Sequence, residues 1–245
     1  MNDSVSPDLT SLYNSYNINI DKKPNHIAVI MDGNGRWANQ QKKNRSFGHE
    51  AGVNSLKTAI QSAIEFGIPN ISFWAFSTEN WKRPKHEVNF LFTLFAKIIK
   101  KEINNLMKHG IKVKFYGFLQ NIPTKTRDIL DFCQEKTHNN HKIQVNIMIN
   151  YGSKQEMLQS IEQIIDKKLP VTEENLRDNM ITHDLPDPDI LIRTSGEFRI
   201  SNFLLWQLAY TELFFLDTLW PDFSRKDMIS VLQEYSQRQR RFGGL

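Results

Sequence analysis

An acid, two glycines and an arginine fall within five residues in Asp32-Gly33-Asn34-Gly35-Arg36. They follow an apolar run, Ile27 to Met31, whose length and β-branched content predict a buried strand. Glycines at such a strand end permit positive φ and close backbone approach, so amide N–H groups can converge on an anion, and Arg36 adds a planar cationic fork. Asp32 does not suit a bare anion site. A carboxylate repels a phosphate unless positive charge lies between them, and a divalent cation is the usual solution. The stretch therefore predicts a metal-assisted diphosphate site, with a turn that holds no ligand as the alternative.

In Arg193-Thr-Ser-Gly-Glu-Phe-Arg199, followed by Ser201 and Asn202, two guanidinium forks and a hydroxyl could close on a second phosphate group; a solvated arginine pair is the other reading. The loop Ser77-Thr-Glu79-Asn80-Trp81-Lys-Arg83-Pro is densely polar, with Trp81 as an apolar lid that could exclude water. Glu212 interrupts the apolar run Ala-Tyr-Thr-Glu-Leu-Phe-Phe and must be paired, metal-bound or pushed toward neutrality. His49 opens a helical pattern, where capping competes with catalysis. Gly33-x-Gly35-x-x-Ala38 formally matches a dinucleotide fingerprint, but the second predicted strand ends in Phe76-Ser77-Thr78 and not in the acid a ribose requires. Neither the nucleotidase phosphate loop G-x-x-x-x-G-K-[ST] nor a D-D-x-x-D metal clamp occurs.

Alternating strand and helix patterns must position these residues. Strands are expected near 27–31, 71–76, 112–118, 142–150 and in Pro186–Glu197. Helices are expected near 50–66, from Pro84 to Gly110, and at 123–137, 153–169, 172–180 and 224–241. The fold class that follows is a single α/β domain: a mainly parallel sheet of about six strands, helices on both faces, ligands beyond the strands' carboxyl ends. On the long helix, Val88, Leu91, Phe92, Phe95, Ile98, Ile99, Ile103 and Leu106 share a face broad enough for core packing or for an apolar substrate tunnel. Residues 1–23 read as a disordered polar arm and 24–245 as the catalytic domain. A net charge of +4 suits an anionic substrate without demanding nucleic acid. The single cysteine, Cys133, excludes an internal disulfide and reads as a buried thiol. No apolar run of membrane-spanning length and no signal-peptide pattern is visible, so the expectation is a cytoplasmic protein without stable membrane insertion.

The segments HIAVIMDGNGRWA, FGHEAG, FSTENWKRP, INYG, IRTSGEFRISNFLLWQLAYTELFF, LWPDF and RRFGG together resemble the cis-prenyltransferase family, in particular bacterial undecaprenyl diphosphate synthases, over about His26 to Leu245. The resemblance implies an Mg²⁺-dependent homodimer that adds isopentenyl diphosphate units in cis to farnesyl diphosphate. Its implied product is ditrans,polycis-undecaprenyl diphosphate, precursor of the lipid carrier for cell-wall glycan and peptidoglycan synthesis. Carried over by motif, Asp32 is catalytic and a metal ligand. Gly33, Asn34, Gly35, Arg36 and Trp37, with Arg45 and His49, hold the allylic diphosphate. Ser77, Thr78, Glu79, Trp81 and Arg83 belong to a mobile substrate loop in which Asn80 is the proton acceptor. Arg193, Arg199, Ile200 and Ser201 hold isopentenyl diphosphate, and Glu212 is the second metal ligand. Arg241 and Gly243 resemble an element that reaches the partner's site. Phe198 and Ser195 depart from the commonest pattern, Phe198 standing where a polar or basic residue is frequent. The alternatives of another class are a nicotinamide-dependent oxidoreductase and a non-catalytic prenyltransferase subunit; the latter lose the acid and phosphate loop present here.

Overall fold

The computed structural model describes residues 8–239. Six strands form one parallel sheet: β1 (His26–Ile30), β2 (Asn70–Ser77), β3 (Ile111–Tyr116), β4 (Ile143–Tyr151), β5 (Ile190–Arg193) and β6 (Glu212–Phe215), in the order β3-β4-β2-β1-β5-β6. Every residue of β1 is buried, as a central parallel strand covered on both faces requires. The helices are α1 (Leu9–Ser15), α2 (Asn34–Gln40), α3 (Arg45–Glu65), α4 (Lys85–Lys108), α5 (Thr124–Thr137), α6 (Ser153–Asp166), α7 (Glu173–Asp178) and α8 (Arg225–Gln237). One core contains Ile27, Val29, Ala59, Leu91, Leu130 and Leu232; a second, across the sheet, contains Ala28, Ile30, Met148, Leu191, Phe203 and Leu208. The alternation of inward residues along β1, Ile27 and Val29 against Ala28 and Ile30, divides the two.

Two expectations change. Within the arm expected to be disordered over 1–23, the chain is ordered from Asp8: Tyr13 is fully buried, its hydroxyl donates to the Phe66 carbonyl (2.9 Å), and Ile18 is buried as well. Polar composition hides these anchors, whose burial outweighs the cost of ordering a short segment; residues 1–7 lie outside the described range. The helix expected from about Glu50 begins at Arg45 instead, because the Asn44 side chain accepts the Phe47 amide (3.1 Å) and caps it.

Between the sheet and α3 and α4 lies a cavity of about 640 Å³. Leu91, Leu94, Phe95, Ile98, Ile99 and Leu106 of α4 line it together with Val145, Ile147 and Ile149 of β4. The broad apolar face of the long helix thus serves both readings: it contributes to the core and it walls a tunnel. Cys133 is buried against the same space, and burial pushes its thiol up to about 11, so it stays protonated.

Candidate active site

The carboxyl ends of β1, β2 and β5 meet at the cavity mouth, where Asp32, Asn34, His49, Ser77, Glu79, Asn80, Arg83, Arg193 and Ser201 contribute to the wall. Register brings the first pair together. Ile30 is opposite Arg193 in the β1–β5 ladder, so the residues that leave these strands face one another. Asp32 accepts the Gly33 amide on Oδ1 (2.8 Å) and the Arg193 guanidinium on Oδ2 (3.0 Å). Gly33 sits at φ +108°, a conformation glycine adopts without strain, and opens the short α2. Gly48 of α3 runs so close beneath that a Cβ would lie 2.0 Å from the Asn34 carbonyl oxygen. The glycine turn is therefore held from below by a helix that only a glycine lets approach.

Arg193 and Arg199 do different things. The Arg193 side chain is only 5% exposed and donates to Asp32, to the Arg199 carbonyl and to Ser201 Oγ (2.8 Å), fixing the loop. Arg199 is exposed and pairs with Glu197, whose other oxygen accepts Arg36 (2.7 Å). Arg36 also donates to Ser195, one of the residues that departs from the family pattern. Glu197 thus joins an arginine from each phosphate loop. Phe198, the other departure, is exposed and rests on Phe215 (5.2 Å).

A second carboxylate does the same on the opposite side. Glu87, in the first turn of α4, presents Oε1 to Arg83 (2.9 Å), Arg45 (3.4 Å) and His49 Nε2 (3.8 Å). Burial, with Arg83 and Arg45 nearby, pushes His49 down to about 4, so it faces the site as a neutral imidazole. Glu87→Gln is expected to lower stability by about 1–2 kcal/mol, since charged hydrogen bonds are weakened but not emptied. Inorganic pyrophosphate should raise the melting temperature of this variant more than that of the parent, because the anion replaces the missing charge; equal shifts would remove Glu87 from the anion site.

The loop after β2 folds into a 3-10 turn, Thr78–Lys82. Asn80 Oδ1 accepts the Ser77 amide (3.1 Å), while the Trp81 indole donates to Asn150 (2.8 Å) and packs on Phe76 and Phe92. Burial opposes ionisation of Glu79, but hydrogen bonds led by Asn202 hold its carboxyl below the usual range. Asn202 itself donates to Glu79 (2.9 Å) and so ties this turn to the Arg193–Ser201 loop. Ser195, Ser201, Asn202 and Leu204 all have positive φ, conformations that non-glycine residues hold only where surrounding contacts impose them.

Asn34 Oδ1, His49 Nε2 and Arg193 Nε, all on mouth-lining residues, are buried without a hydrogen-bond partner within the chain, leaving polar capacity that a bound ligand or water can meet. Asp32, one third exposed, can accept further bonds. One carboxylate plus substrate phosphate oxygens is the usual Mg²⁺ environment, and among the described residues no cluster of three His, Cys, Asp or Glu offers an all-protein site. Asp32 therefore fits Mg²⁺ with a diphosphate. Within this chain Glu212, expected as the second ligand, stands away from Asp32: it begins β6 opposite Ile190, at the amino end of the sheet, where Arg238 pairs with it (2.7 Å). Three residues separate that level from Arg193, about 10 Å along the strand, and Asp32 lies farther still. Trp37, expected at the allylic site, is turned to Asp222 (2.7 Å) and stacked on Phe47. Ile200 packs on the second core, and Gly35, Thr78, Trp81 and Arg199 surround the mouth without lining the cavity. Arg241 and Gly243 lie outside the described residues.

The comparisons agree with this geometry. Residues 30–243 match a protein-family model described as putative undecaprenyl diphosphate synthase. An isoprenyl transferase of Fusobacterium nucleatum is 48% identical over 223 residues, 91% of this chain and 96% of that protein. Among solved structures, lavandulyl diphosphate synthase from Lavandula x intermedia, in complex with dimethylallyl diphosphate, superposes with a TM-score of 0.87 at 30% identity, covering 91% of this chain and 99% of that one. A probable undecaprenyl diphosphate synthase from Campylobacter jejuni gives 0.77 at 35% identity, covering 90% and 98%. The chain that holds this acid, these arginine-bearing loops and this apolar cavity thus belongs to the isoprenyl transferase family and is a cis-prenyltransferase.

Proposed function

We propose that this enzyme extends farnesyl diphosphate with successive isopentenyl diphosphate units to a long-chain polyprenyl diphosphate of undecaprenyl type, with Mg²⁺ as cofactor. The observation that carries the reading is the convergence of two arginine-bearing loops on Asp32 at the mouth of an apolar cavity of about 640 Å³. Arg36, Arg45 and Arg83 receive the allylic diphosphate. Arg199 and Ser201, held by Arg193, receive that of isopentenyl diphosphate. Asp32 would hold Mg²⁺, which when bound would supply positive charge against the departing diphosphate. The arginines and the first-turn amides of α2 add to that stabilisation as the allylic C–O bond lengthens.

The isopentenyl double bond then forms the new C–C bond, and one proton leaves its C2. Asn80, at the cavity wall, takes that proton and passes it to the released diphosphate, since an amide oxygen is too weak a base to keep it. Trp81, beside the mouth and packed on Phe92, would limit the entry of water while the cationic charge exists. The lengthened chain moves along the apolar wall of α4 and β4. We also propose a homodimer formed through the β6 edge, where Phe198 and Tyr210 expose large apolar area.

The test is chromatography of the product formed from labelled isopentenyl diphosphate and farnesyl diphosphate. An eleven-unit product is expected, with turnover lost on chelation and restored by Mg²⁺. A product of only a few units would overturn the undecaprenyl assignment, and full turnover in chelator would overturn the metal.

A further inference from the structure

Charge is distributed unevenly in this chain. Of 31 Lys and Arg and 27 Asp and Glu, residues 97–142 hold ten and four, so the remainder is slightly acidic. This segment is one continuous part of the fold: the second half of α4, the edge strand β3, helix α5 and the turn into β4. The far end of the cavity lies in the same place. It is lined by Asn105, Leu106, His109 and Ile111, and Asn105 and His109 are exposed, so the apolar space ends at this surface and not in the core.

The turn before β4 brings the charges around that end. Asn140 donates to the carbonyls of Leu106 (3.4 Å) and Ile111 (2.8 Å), and the Lys142 amide donates to the Gly110 carbonyl (3.0 Å). These bonds seat exposed Lys142 on Gly110, two residues beyond exposed Lys108, with Lys101 two turns back along α4 from Lys108. Met107, 43% exposed, stands among them, and Phe132 of α5, 49% exposed, lines a groove with Ile99, Lys100, Ile103, Asp128 and Ile129. Lys136 caps the Phe132 ring (5.6 Å). Lys108 and Lys142 form no ion pair among the described residues.

We propose that this face docks on an anionic phospholipid surface and sets the far end of the cavity against the bilayer. A basic rim around exposed apolar side chains matches the two components of interfacial binding, lipid charge and shallow apolar insertion. The path for the product tail would then run from an apolar cavity into an apolar membrane without crossing water. The last step rests on the long-chain reading above; docking itself does not. Among the described residues no helix is long and apolar enough to cross a membrane, so attachment is peripheral.

The experiment is co-sedimentation of the full-length protein, without substrates, with vesicles of mixed phosphatidylglycerol and phosphatidylcholine or of phosphatidylcholine alone. Binding to the mixed vesicles only is expected, weakening as salt shortens the screening length. The combined variant Lys101→Ala, Lys108→Ala, Lys142→Ala should lose tenfold or more in vesicle affinity, at about fivefold for each charge. Its turnover in detergent micelles should equal the parent's, which also establishes that it folds. Equal binding to both vesicle types, unchanged binding by the variant, or equally tight binding of duplex DNA would each overturn the proposal. Because no substrate is present, a short-chain product in the chromatographic assay would leave the docking result standing.

Discussion

Asp32→Asn is expected to reduce turnover at least about a thousandfold, the scale on which a single electrostatic group at a reacting centre acts. Asparagine keeps one oxygen, enough for Arg193 or for the Gly33 amide but not for both, so the link between the loops that Asp32 joins is weakened but not removed. What is lost is the negative charge that, in the proposed function, would draw Mg²⁺ to the diphosphate. Calorimetric melting should shift by only a few degrees, and pyrophosphate binding should lose its dependence on Mg²⁺. Near-normal turnover in this variant would remove Asp32 from the mechanism. Asp32→Ala is the poorer probe, because it leaves a guanidinium that is 5% exposed without its carboxylate, and lost activity would be mixed with lost structure.

Arg193 and Arg199 give the second large effect, and its form separates them. Arg193→Ala removes the group that holds Asp32, the Arg199 carbonyl and Ser201 together in a buried place, so a stability loss of about 3 kcal/mol is expected. For a chain of this size that is a fall of roughly 6–12 °C in Tm. Arg199→Ala should leave Tm unchanged, since its pair with Glu197 is solvent-exposed. It should instead raise the KM for isopentenyl diphosphate about ten- to thirtyfold, the loss of one charge-assisted contact. Reversal of the two phenotypes, Arg199→Ala unfolding and Arg193→Ala changing only KM, would contradict the division of labour seen here.

The residues that announce themselves in the sequence are those whose type is odd for their place: an acid ending an apolar strand, arginines beside glycine turns, a polar loop carrying a tryptophan. Asp32, Arg36, Asn80 and Arg193 were legible for that reason, and the strand and helix alternation made the parallel sheet legible too. Glu87, Glu197 and Asn202 were not. Glu87 sits in an ordinary polar segment, Glu197 and Asn202 in a stretch conspicuous for its arginines and hydroxyl, and the importance of each comes from partners brought to it: Arg45 and His49 from α3, Arg36 from the first loop, Glu79 from the turn after β2. Local pattern carries no signal for such pairings.

Glu212 and the amino-terminal segment show the converse, a residue type readable in sequence whose surroundings only the fold supplies. An acid in an apolar run must be compensated, and within this chain Glu212 is paired with Arg238 at the amino end of the sheet, away from Asp32. Register decided this. The polar segment before Pro24 lacks a hydrophobic pattern, yet Tyr13 and Ile18 find a finished core to enter, which only the folded body supplies.

By itself, then, the sequence determined the chemical inventory, a carboxylate, arginine forks, glycine-permitted anion turns and a long apolar face, because these depend on residue type and on spacing within one element. The tertiary structure decided which charges meet, which arginine is buried, that Glu212 stands apart from Asp32, and where the cavity reaches the surface. Those outcomes depend on strand order and register, which place residues tens to hundreds of positions apart within one hydrogen bond, or one sheet length, of each other.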